Sequence, residues 1–186
     1  MKKKLMLLLL SLILVSLAAI ALIIYLNPKA QFKTDAEIVG KKLHNFRITT
    51  LSGKSISLDD YKGKALIINI WDTKCPPCIA EFPGLIELYS EYKLQGLEIL
   101  GLTKSLYEDE EGLKKFIKKY GLTYDIAIVD TRFLNRLGGV RGIPVSYIVD
   151  TKGILYKRHI GYRQKSVFEE DIKNILPPVY DETRDE

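Results

Sequence analysis

The chain has 186 residues with 28 Lys and Arg against 23 Asp and Glu, a formal charge of +5, and two cysteines. That length suits one domain of ordinary size rather than two large ones, and two thiols are too few for a disulfide-stapled scaffold or a four-thiolate zinc site. Lys2, Lys3, Lys4 and Lys29 fall in the first 30 residues, which hold no acid, so the rest is 24 basic against 23 acidic and the basicity is no argument for nucleic-acid binding.

The first predicted element is a helix over Leu5 to Leu26, 22 residues without a charge. About 20 apolar residues cross a bilayer core, so this stretch predicts a transmembrane anchor. Lys2 to Lys4 keep residues 1–4 in the cytoplasm and send the rest to the outer side. Ile23-Ile24-Tyr25-Leu26 is bulky and no small-x-small site follows, which favours an uncleaved signal-anchor over a signal peptide. Residues 27–42 are polar and read as a linker reaching at most ~55 Å. The folded domain is expected over 43–180, and residues 181–186, with four acids and one Arg, read as a solvated acidic tail.

Phe46 to Leu51 and Lys54 to Leu58 alternate around Ser52-Gly53, the signature of a hairpin. Ala65 to Trp71 is a nearly continuous apolar run of strand length, expected to be covered on both faces. Helical spacing runs over Ile79 to Leu94; Leu97 to Leu102 reads as a strand, Glu108 to Tyr120 as an amphipathic helix, and Ile126 to Val129 as a short strand. Val145 to Asp150 and Ile154 to Ile160 make a second hairpin, and Val167 to Leu176 a last helix stopped by Pro177-Pro178. This order predicts an α/β fold in which parallel βαβ units meet an antiparallel edge.

Between the buried strand and the next helix stands Trp71-Asp72-Thr73-Lys74-Cys75-Pro76-Pro77-Cys78. Two cysteines two residues apart at a helix start can close a small disulfide ring, and the amides and dipole there favour a thiolate. Cys75 is expected to be the exposed nucleophile and Cys78, one turn in, the resolving thiol. Pro76 at the first helical turn costs nothing, because its missing N–H would be unpaired anyway. Half of a zinc site is the competing reading, but there is no second cysteine pair, and neither His44 nor His159 lies in a ligand motif. No metal or other cofactor is expected.

These residues resemble the thioredoxin superfamily, and within it the membrane-anchored TlpA/ResA-like thiol–disulfide oxidoreductases. The likeness runs from about Leu43 to Leu176: Leu43-His44-Asn45-Phe46, Leu58-Asp59-Asp60-Tyr61-Lys62-Gly63-Lys64, Asn69-Ile70-Trp71 leading into the cysteines, Glu81-Phe82-Pro83, and Val140-Arg141-Gly142-Ile143-Pro144. It implies a thioredoxin-like α/β fold, a central mixed sheet flanked by helices with an added N-terminal hairpin. It further implies that Cys75 attacks a partner disulfide, Cys78 resolves the mixed disulfide, and Glu81 handles the resolving thiol's proton. Asn69 stands where many thioredoxins keep a buried Asp. Pro144 is expected cis, with Ile143 beside the sulfurs, and Trp71, Lys74, Pro76, Ile143 and Pro144 are expected to receive the partner. Lys74 departs from the aromatic usual before the first cysteine.

The expected activity is extracytoplasmic thiol–disulfide exchange with protein partners, and the resemblance further implies a reductant, recharged by a membrane thiol donor, that serves cytochrome c maturation, with apocytochrome c as substrate, or related thiol reduction of similar extracytoplasmic proteins. No nucleic-acid partner is expected. A thiol peroxidase and a copper-binding assembly chaperone on the same fold are the alternatives.

Overall fold

The structure is a computed structural model that describes residues 2–26, 32–105 and 107–176, with side chains of the first helix described at positions 4, 6 and 9–22. Two units are distinguished, Met1–Gln31 and Phe32–Glu186. The expected acidic tail at 181–186 lies outside the described residues.

The first unit is one helix, α1 (Lys2–Leu26), with exposed Leu12, Leu14 and Val15. Among the described residues no helix is long and apolar enough to cross a membrane.

In the second unit the elements are α2 (Asp35–Ile38), β1 (Arg47–Thr49), β2 (Ser55–Ser57), β3 (Ala65–Trp71), α3 (Pro76–Tyr92), β4 (Leu97–Thr103), α4 (Glu110–Tyr120), β5 (Asp125–Ile128), α5 (Thr131–Arg136), β6 (Val145–Val149), β7 (Leu155–Ile160) and α6 (Lys165–Lys173). β1 and β2 pair as the expected hairpin, and the other five strands form one sheet in the order β5-β4-β3-β6-β7. β3 runs parallel to β4 and antiparallel to β6, so the sheet is mixed and β3 lies at its centre. Pleat alternation along β3 divides the interior. Leu66, Ile68 and Ile70 meet Phe46, Ile56, Phe133 and Leu134 on one face, while Ala65, Ile67 and Trp71 meet Phe82, Leu85, Phe168 and Ile172 on the other. Asn69, on the second face, is the one strand position there that brings a polar group beneath α3.

Residues 32–42 depart from the expected linker. Lys33 donates its backbone N–H to Gly138, Gly40 to Leu155, and Leu155 returns one to Lys41, so this stretch runs along the outer edge of β7. Asp35 holds Arg158 at 2.7 Å, the Arg158 side chain being 8% exposed. A nearly buried guanidinium and an open sheet edge both demand partners, and this segment supplies them. α5 was also not expected: its two buried apolar residues, Phe133 and Leu134, are adjacent and show no helical period, while Asp130 caps it by accepting from Phe133 N–H at 2.7 Å.

Candidate active site

α3 begins three residues earlier than its apolar spacing suggests, because the first cysteine is its cap. Cys75 has extended backbone at the N-cap, Pro76 and Pro77 need no donor in the first turn, and Cys78 N–H points at Cys75 Sγ, 3.3 Å away. The two cysteines are joined in a disulfide with Cα atoms 5.2 Å apart. Their exposures differ in the direction expected: Cys75 is 6% exposed and Cys78 is fully enclosed. Attack from outside can therefore reach only the Cys75 sulfur, which also has a backbone donor to stabilise a thiolate once the bond opens.

One turn beyond Cys78, Glu81 is 3% exposed. Its Oε1 accepts from Arg163 backbone N–H at 2.9 Å and its Oε2 from Asn69 Nδ2 at 2.8 Å. Burial pushes the carboxyl up to about 7, against the pull of those two bonds. A group poised there exchanges a proton at neutral pH with little driving force in either direction. Asn69 is fully buried and also donates to Ser146 Oγ at 2.9 Å, while its own Oδ1 meets no donor. β3, β6 and α3 thus converge on one enclosed carboxyl, one helical turn past the enclosed cysteine.

The expected partner-facing residues separate into two groups. Pro76 and Lys74 are exposed at the mouth, and the Lys74 ammonium lies 4.7 Å from the centre of the Tyr107 ring. Ile143 is 37% exposed and the Ile143–Pro144 peptide bond is cis. The pairing of Ile70 with Val145 sets Pro144 alongside Trp71, at the end of β3 that leads to Cys75. Among the described residues no hydrogen bond engages the backbone N–H or C=O of Ile143. Trp71 is a correction: it is 1% exposed, meets Phe82 edge-on at 5.1 Å and stacks with Phe116 at 5.7 Å, so no partner touches it. Alternation turns it inward under α3, where it forms the floor of the disulfide rather than its rim.

Two contributors gave no sequence signal. Ser146 reaches Asn69 only through the register of β6 on β3, and Arg163 acts through its main chain, which leaves no mark on residue type. His159, which lies in no ligand motif, is buried and meets Asp171 Oδ2 at 2.5 Å, with Lys157 on the other oxygen at 2.7 Å.

Comparison with known proteins agrees with this geometry. The family model described as AhpC/TSA family matches residues 39–158. A curated relative, thiol-disulfide oxidoreductase ResA of Bacillus thuringiensis subsp. konkukian, is 37% identical over 139 residues, 75% of this chain and 79% of that protein. The ResA of Geobacillus kaustophilus is 35% identical over 167 residues, covering 90% of this chain and 94% of the relative. Among solved structures, a thiol:disulfide interchange protein of the thioredoxin family from Chlorobium tepidum TLS superposes with a TM-score of 0.66 at 28% identity, over 77% of this chain and all of that one.

Proposed function

We infer the function from one premise: the chain belongs to the AhpC/TSA family and is a ResA-like thiol–disulfide oxidoreductase of thioredoxin-like fold. We propose that it is a reductant, held at a membrane by its amino-terminal helix, that keeps cysteines of extracytoplasmic proteins reduced, apocytochrome c among them. The observation that carries the chemistry is the enclosed Cys75–Cys78 disulfide with only Cys75 open to attack.

In the reduced protein the Cys75 thiolate attacks one sulfur of a partner disulfide and expels the other as a thiolate, leaving a mixed disulfide. Cys78 gives its proton to Glu81, attacks Cys75 Sγ, and releases the partner's second thiol. Two electrons leave the chain, the Cys78 proton passes by way of Glu81 to one released thiolate and solvent protonates the other, and the partner disulfide becomes a dithiol. Asn69 suits Glu81 in both protonation states. Its amide donates to the carboxylate as observed, and turned by half a revolution its idle Oδ1 accepts from the carboxylic acid.

Anchoring is supported by the 22 uncharged residues from Leu5 to Leu26, and an outer position for the domain by the positive-inside tendency of the three lysines before them. Cys78→Ser should accumulate a covalent complex with the physiological partner, and Cys75→Ser should not. Equal capture by both variants, or by neither, removes the assigned roles. The reduction potential decides direction: a value near the −270 mV of thioredoxin fits a reductant, and one near the −120 mV of DsbA means an oxidant instead. Hydrogen peroxide turnover by the reduced chain would point to the peroxidase reading.

A further inference from the structure

Beside the cis-proline turn, on the face of the sheet away from α3, lies a half-open groove of about 300 Å³. Its floor is Val145 and Ile160, cross-strand partners on β6 and β7, with Ile160 53% exposed. One wall is Phe32 from the docked amino-terminal segment, and the Arg141 guanidinium sits 4.7 Å from the centre of its ring. Arg158 is already committed, to Asp35 at 2.7 Å and to the Lys33 carbonyl at 3.0 Å. Arg141 and the Lys33 ammonium, by contrast, make no direct ion pair with a carboxylate among the described residues. The groove is therefore apolar at its floor and carries at its rim two cations outside any direct ion pair, with Lys33 also feeling the Glu37 carboxylate at longer range.

We propose that this groove docks an acidic stretch of the substrate protein, an extended segment bearing a carboxylate within two to five residues of the cysteine that bonds to Cys75. The proposal rests on the disulfide-reductase reading. Three observations lead to it. The groove adjoins the cis-proline turn, since its lining residues Arg141 and Val145 flank Ile143 and Pro144 in the chain. The backbone of Ile143 is free to pair with an extended strand, which would carry alternate side chains past the turn. The rim cations select charge, while Val145 and Ile160 accept the aliphatic stem beneath the carboxylate.

The test uses the full chain, reduced, in nonionic detergent, against disulfide-bonded peptides that carry Glu, Gln or Lys at each position two to five residues from the attacked cysteine. The expected order of the second-order rate constant for peptide reduction is Glu over Gln over Lys at one of these positions, each step about fivefold, the size of one partly exposed ion pair, and it should flatten at high salt. The double variant Arg141→Glu, Lys33→Glu should invert the order, and Arg141→Lys should keep it. Arg141 is exposed and touches neither cysteine, so reduction of a small aromatic disulfide should run at the parental rate in every variant, which verifies that the fold and the thiols are intact. Indifference to peptide charge, or an order unaltered by the double variant, overturns the groove assignment while peptide reduction leaves the enzymatic reading standing. If the parent reduces the small disulfide and no peptide at all, both fall.

Discussion

Glu81→Gln isolates the cost of keeping a carboxyl under α3. Its folded value lies at about 7 against 4.5 for a free group, so between these pH values the unfolded chain releases the proton and the folded one retains it. The folded state binds more protons in that window, and stability must fall as pH rises through it, by about 3 kcal/mol in total at 1.36 kcal/mol per pH unit. Below the window both states are protonated and no cost remains; above it the full cost is present. Gln cannot ionise, and its amide keeps the shape of the group. Its oxygen can accept from Arg163 N–H, and its nitrogen can donate to Asn69 Oδ1 once that amide turns. Urea unfolding of the oxidised chain and of the variant, compared at pH 4 and pH 8, should show the variant gaining about 2–3 kcal/mol relative to the parent as pH rises. Other acids titrate alike in both proteins and cancel in the difference. A difference that stays constant across the range, or one that grows in the parent's favour, refutes the argument that burial dominates at Glu81.

Asn69→Asp places a second carboxyl against Glu81 Oε2, so the pair should hold a shared proton to higher pH and the pH profile of thiol exchange should move upward; an unmoved profile would detach Asn69 from the chemistry. Gly101→Ala sets a methyl 2.9 Å from Trp71 Nε1 and 3.1 Å from Ile126 Cγ1, contacts that packed neighbours cannot relieve, and should cost about 1–3 kcal/mol by urea unfolding. Leu85→Ala, which empties a fully buried position of α3, should cost about 2–5 kcal/mol by the same measurement. Asp35→Lys breaks the pair with Arg158, and limited proteolysis should then cut near residues 32–38 faster than in the parent; equal rates would mean that the backbone bonds alone hold this segment.

The chemistry was legible where the chain is local. Cys75, Cys78 and Glu81 lie on one helical turn after another, and Asn69 is only six residues before the first cysteine, so strand alternation and helical spacing bring them together without knowledge of the rest. Contacts made at long range were not. Ser146 meets Asn69 across 77 positions and Arg163 meets Glu81 across 82, both decided by how β6 and the turn after β7 settle against β3. The same limit explains residues 32–42. Their polar composition reads as a linker because Asp35 finds Arg158 only 123 positions later. Trp71 shows a different limit. Its neighbourhood to the cysteines in sequence suggested the rim, whereas the pleat of a strand covered on both faces leaves no outward side at all.

The buried indole has an optical consequence. Trp71 is the sole tryptophan of the chain, and it shares one apolar cluster with both sulfurs of the disulfide. A disulfide accepts an electron readily from an excited indole at contact range, and a dithiol does so less well. Emission excited at the indole band should therefore report the state of the two cysteines with no added label, dim when oxidised and bright when reduced. Because Phe82 and Phe116 keep the ring away from water, the colour of that emission should stay nearly constant while its intensity follows the redox couple.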